Sequence, residues 1–146
     1  MDRLDFCELL YDVKLGSSKR TADMSYIMHI PWSSVKRIEE GQTNFGIDSA
    51  IRYIGYLEHH MVLESFFMSK SYHILKYDDL ITWMKESRKC KQTSYTQRTL
   101  AKVLGCSYVN IAKIESKKSI MSVDTFLQLI DIFVTKIKIV ENEQNT

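Results

Sequence analysis

The sequence predicts a mainly α protein built from two copies of one helical unit. Three observations carry this expectation. Apolar residues recur at helical spacing along most of the chain, and only one Pro and five Gly in 146 residues interrupt them. Capping and turn residues divide the pattern into short helices, several of which begin almost where the previous one stops. The chain also aligns with itself at an offset of 76 residues, apolar positions falling on apolar positions.

Taken in order, the pattern predicts helices over residues 3–15, 20–28, 32–39 and 47–57, then 77–90, 96–104, 108–115 and 122–134. Leu4, Cys7 and Leu10 form the inward face of the first helix, and Leu80, Trp83 and Met84 that of the fifth. The clearest stretch runs from Thr96 to Glu115. Thr96 reads as an N-cap, with Leu100, Ala101 and Leu104 on one face of the helix it starts. Gly105 ends that helix, since a C-terminal turn favours a residue free to take positive φ. Ser107 caps the next helix, whose apolar face is Ile111 and Ile114. Two short helices joined by a tight Gly turn make a helix-turn-helix, and the small Ala101 suits the close crossing.

The 76-residue offset lays Met24, Ser25, Met28, Val35 and Ile38-Glu39 on Leu100, Ala101, Leu104, Ile111 and Ile114-Glu115. The first copy departs at the turn, where His29-Ile30-Pro31 replaces Gly105-Cys106-Ser107. Histidine tolerates left-handed backbone better than most residues, and Pro31 suits the first turn of a helix. After each fourth helix, His60–Glu64 and Lys136–Val140 also coincide. Lys-Ile-Lys-Ile-Val alternates like a strand, so these segments read either as short strands or as continued helix. As strands they carry edges that seek partners, within the chain or in a second chain, with a homodimer favoured.

The run Thr96–Glu115, continued by Ser122, Val123, Thr125, Phe126, Leu129 and Ile130, resembles the lambda-repressor-like helix-turn-helix of phage repressors and Cro proteins. The resemblance covers residues 78–134. It implies two such domains: a divergent one over 1–65 and a second over 78–140, with a packed linker at 66–77 and a frayed tail at 141–146. It further implies a sequence-specific, double-stranded DNA-binding transcriptional regulator of the repressor-like kind typical of bacteria and their mobile elements. In that family the second helix of the motif enters the major groove. The corresponding positions here are Tyr108, Val109, Asn110 and Lys113. Asn suits a paired contact to adenine, Lys the guanine acceptors, and Val a thymine methyl. Thr96 and Gln97 stand where the family contacts phosphate and braces the recognition helix, and Lys117 and Lys118 can neutralise phosphates from the following loop. In the first copy the matching residues are Trp32, Ser33, Ser34, Lys36 and Arg37, with Trp32 facing the groove, a partner or its own core. Glu40 would repel phosphate there, which makes this copy the weaker reader.

Composition agrees with this expectation and excludes others. Net charge is +2, but residues 1–73 hold 8 Lys/Arg against 10 Asp/Glu, and residues 74–146 hold 12 against 8, so the better-formed copy is the basic one. No stretch approaches the roughly 20 apolar residues of a membrane span, and the acidic start Met1-Asp2-Arg3-Leu4-Asp5 lacks the features of a signal peptide. Cys7, Cys90 and Cys106 have no metal-type spacing and read as reduced thiols in a cytoplasmic protein. There is no phosphate-binding Gly loop, no HExxH and no nucleophile elbow, so neither an enzyme nor a cofactor is expected. His59 and His60, with Glu58 and Glu64, are too divergent in direction to share a metal. The competing function is a helix-turn-helix fold used as a protein-interaction or antitoxin-like adaptor module.

Overall fold

Backbone hydrogen bonding in the computed structural model, which describes residues 1–143, defines eight helices and three strands among those residues. Helices α1 (Arg3–Leu15), α2 (Thr21–Met28), α3 (Trp32–Glu40) and α4 (Ile47–Tyr56) lead into a hairpin of β1 (His59–Ser65) and β2 (Lys70–Ile74). Helices α5 (Tyr77–Lys89), α6 (Gln97–Leu104), α7 (Tyr108–Glu115) and α8 (Val123–Ile132) then lead into β3 (Thr135–Glu141). The expected mainly α class is corrected to mixed α/β, because the strands form an antiparallel sheet of order β2-β1-β3. His60–Glu64 and Lys136–Val140 both lie in strands rather than in continued helix. Met61 and Leu63 turn inward and are fully buried, while His60 and Glu64 keep access to water.

Local chemistry sets the helix ends. The side-chain oxygens of Thr96, Ser107 and Ser122 accept the backbone N–H groups of Thr99, Asn110 and Thr125, so three helices begin on the caps their sequence offers. Gly105 ends α6 at φ 73°, and His29 ends α2 at φ 56°, the same left-handed turn made by a residue with a side chain. Pro31, expected in the first turn of α3, stands just outside it at the N-cap position and makes no side-chain cap. Segment 66–77, expected as a packed linker, contains β2, which pairs with β1 from Met61↔Ile74 to Ser65↔Lys70.

The helices of the two halves run to 13, 8, 9 and 10 residues, then 13, 8, 8 and 10. Their contacts with each other obey a local twofold relation. Strands β1 and β3 pair antiparallel with Val62 opposite Lys138, and those residues are themselves 76 apart. Every other pair is symmetric about that one: Met61 faces Ile139 and Leu63 faces Ile137. A second contact repeats the rule. Ile47 N–H donates to Met121 O and Val123 N–H to Phe45 O, each at 2.8 Å, on either side of the bridge Gly46↔Ser122. Donors and acceptors in this pair again differ by 76 positions.

The core is continuous across the halves. Phe6 packs on Phe126 at 5.8 Å between ring centroids, and Trp83 meets Phe126 and Phe133 at 5.9 and 5.6 Å. All four side chains are fully buried, each contributing roughly 1.5–3 kcal/mol or more of apolar transfer. Leu4, expected inside, is 51% exposed. The inward face of α1 runs instead through Phe6, Cys7, Leu10 and Lys14, and burial pushes the Cys7 thiol up to about 11. Glu141 closes β3 and Asn142 N–H donates to Glu58 O, so the part of the expected frayed tail that is described is ordered by pairing. Residues 144–146 of that tail lie outside the described residues. Among the described residues no helix is long and apolar enough to cross a membrane.

Candidate nucleic-acid interface

Helices α6 and α7 meet across the Gly105 turn, with Ala101 2% exposed where they cross. Ile111 and Ile114 hold α7 to the core, which leaves Tyr108, Val109, Asn110 and Lys113 on its exposed side. The Tyr108 ring lies under the Arg98 guanidinium at 4.1 Å, a contact that draws a cation from α6 to the start of α7. Thr96 is exposed, and its Oγ1 accepts the Thr99 N–H as the cap of α6. Gln97 donates from Nε2 to the Glu115 carboxylate at 3.1 Å, so it braces the third helix of its half from the first turn of the second. Lys117, at φ 63°, pairs with Asp78 at 3.2 Å, and Lys118 is exposed beside it. Residues 97–118 carry five cations, Arg98, Lys102, Lys113, Lys117 and Lys118, and a single carboxylate. That carboxylate, Glu115, is buried, so the exposed charge of this surface is positive.

Glu115 is the anchor of the pair. It accepts Arg88 Nε at 2.7 Å and Nη2 at 2.8 Å in a two-pronged contact, and Arg88 Nη1 also donates to Tyr95 O. The first half builds the same anchor with other residues. Glu39 accepts Lys14 Nζ at 2.8 Å, Thr21 Oγ1 at 2.7 Å and the Tyr53 hydroxyl at 2.6 Å. Burial, then the hydrogen bond to Glu39, pushes the Tyr53 phenol well above its ordinary range. In each half the cation is the penultimate residue of the first helix, and the neutral donor (Thr21 or Gln97) is the first residue of the second.

The exposed surfaces of the two halves differ. Trp32 is 54% exposed with the Lys36 ammonium 5.5 Å from its ring centre, which removes it from its own core. Ser33 and Arg37 are exposed, while Ser34 and Lys36 are half-buried. Lys36 is paired with Glu40 at 3.3 Å, so its charge is partly cancelled. Residues 21–42 carry two Lys/Arg against three Asp/Glu. Tyr26, 81% exposed, stands where the second half has Lys102.

Sequence reasoning missed Arg98, Lys102 and both buried anchors. The anchors had a signal: Glu39 and Glu115 coincide at the 76-residue offset and lie four residues after Val35 and Ile111, on the apolar face. A carboxylate there requires a buried partner. His59 and His60 diverge as expected, His59 Nδ1 meeting Leu57 O and His60 bridging Asn142 and His73. Comparison with protein families, with curated proteins and with solved structures finds no match.

Proposed function

We propose that this protein is a sequence-specific, double-stranded DNA-binding transcriptional regulator whose two helix-turn-helix units, α2–α3 and α6–α7, act as a dimer within one chain. The observation that supports the reading is the twofold register in which β1 pairs with β3 about Val62↔Lys138, repeated at the bridge Gly46↔Ser122. Repressors that read twofold sites obtain that relation by pairing two chains. In the second unit Asn110, Lys113 and Val109 read base edges, while Arg98, Lys102 and Lys118 contact phosphate. In the first unit Ser33, Ser34 and Arg37 meet the other half-site with fewer charges. The preferred site is therefore two half-sites of unequal sequence.

Selection from random duplexes followed by footprinting on the full chain tests this reading. The expected result is one continuous asymmetric footprint spanning both half-sites. Asn110→Ala is expected to cost roughly 1–3 kcal/mol on the selected site and to relax preference at one base pair. Lys118→Ala is expected to weaken binding to every sequence and lower the salt slope by about 1. No duplex retained at low salt would overturn the proposal. One observation favours a protein-interaction role for the first unit: Tyr26 and Trp32 are exposed aromatics on a surface whose Lys36 is already paired. Under that reading Trp32→Ala leaves the footprint unchanged.

A further inference from the structure

At the outer edge of the sheet the two halves differ. Strand β1 is paired on both sides, by β2 and by β3, whereas the outer edge of β3 has no strand beside it among the described residues. Between that edge and α1 runs a groove of about 450 Å³, lined by Leu9, Asp12 and Val13 and by residues 137–140. Its mate in the other half lies between α5 and β1, where Trp83, Glu86 and Ser87 stand at the same positions, counted from the first residue of the helix, as Leu9, Asp12 and Val13 in α1. That mate is filled. Strand β2 sits in it, with Tyr72 opposite Leu63, Ile74 opposite Met61, and the Tyr72 hydroxyl donating to Glu86 at 3.0 Å.

Burial records the difference. Met61, Leu63, Trp83 and Ser87 are at most 2% exposed, while their counterparts Ile137, Ile139, Leu9 and Val13 are only half-buried. The open groove has the apolar floor, the acidic residue and the unpaired strand edge of a site shaped for an extended segment.

We propose that the outer edge of β3 and its groove under α1 accept an extended segment of a partner protein as a fourth, antiparallel strand. The filled mate defines the chemistry of the guest. It presents alternate large apolar side chains to Ile137 and Ile139, and a phenol or ammonium that reaches Asp12. On its outer face an acidic residue beside Lys138 extends the ion pair that Lys138 makes with Glu64 at 2.7 Å. Main-chain pairing along an exposed edge supplies affinity and the alternate pockets supply selectivity. We take the occupant to be a bare segment rather than a second copy of this chain. Helix α5 packs on β2, so α1 correspondingly overhangs the place beside β3. A bare segment enters beneath α1 more readily than a β3 that carries its own α1.

The test uses the full chain and a labelled peptide with the sequence Ser-Lys-Ser-Tyr-His-Ile-Leu, that of residues 69–75, which occupies the mate groove. The expected result is saturable binding at peptide concentrations up to about 1 mM. Amide shifts in the protein's NMR spectrum are expected to cluster on residues 135–141 and 9–13. A peptide with His73→Glu, which faces Lys138 in this register, is expected to bind more tightly. Val13→Glu in the protein is expected to weaken binding roughly tenfold by placing a charge in the apolar groove. Should Val13→Glu disturb folding, Asp12→Asn at an exposed position is combined with a Tyr72→Phe peptide. The two losses are expected to be non-additive, because they remove the same contact. Shifts centred elsewhere, no binding, or additive losses would overturn the proposal. So would concentration-dependent dimerisation abolished by Val13→Glu, which would make the occupant a second copy.

Discussion

Glu115 lies on the apolar face of α7 and its carboxylate takes both Arg88 and Gln97. Arg88 is 7% exposed, so Glu115→Ala leaves a buried guanidinium without its carboxylate and is expected to destabilise the protein by about 3–5 kcal/mol in urea melts. The double replacement Arg88→Met with Glu115→Leu removes both charges. It is expected to recover most of that loss, since burying an ion pair gains little over apolar packing. The turns offer a matched pair of tests. A Cβ at Gly105 meets no atom within 4 Å, but Gly105→Val must hold positive φ, at an expected loss of about 1–3 kcal/mol. His29→Gly relieves the same strain in the other half and is expected to gain about 1 kcal/mol in thermal melts. Caps and turns were legible in the sequence because each depends on a residue and its nearest neighbours. The anchors were not, since nothing beside Lys14 or Arg88 in the sequence marks either as the partner of a buried glutamate.

The helices were legible as elements to within a residue or two, their apolar period and caps agreeing. The strands were harder. Lys136–Val140 alternates, but Lys70–Ile74 is a short, mostly polar run whose strand state comes from the β1 edge rather than from its own residues. Ile137→Asp with Ile139→Asp places charges on the inner face of β3, opposite Leu63 and Met61. The expected outcome is loss of β3 protection in hydrogen exchange while the halves stay together. The contact of Phe6, Trp83 and Phe126 and the Gly46↔Ser122 bridge do not depend on the sheet. On the outer face, the hydrogen bond from Lys138 holds the Glu64 carboxyl below its ordinary value. A depressed acid stabilises the fold above its unfolded pKa and loses that contribution as pH falls through the folded one. In Lys138→Ala the Glu64 titration, followed by carboxyl NMR, is expected to move up into the ordinary glutamate range.

At the scale of the whole molecule the 76-residue repeat was visible as aligned apolar positions, but how its copies meet was not. An unpaired strand edge in a sequence does not say which chain will cover it, and a homodimer was the favoured expectation. In the structure β1 covers β3 within the chain, because the β1–β2 hairpin and α5 return the second half to the first. The exposed charge separates the halves as the composition foreshadowed, positive around α7 and balanced around α3. What the repeat could not announce is the missing fourth strand, a difference that appears only when the two ends of the sheet are compared. The internal register carries a further consequence for how the molecule behaves on dilution. Two subunits joined by such a ribbon part when they become scarce, and their melting temperature falls with concentration. Here the partner is tethered and always present at a high effective concentration, so the joining of the halves is a first-order event. Melting temperature is expected to stay constant over a thousandfold dilution, because the joining of the halves does not wait on a second molecule.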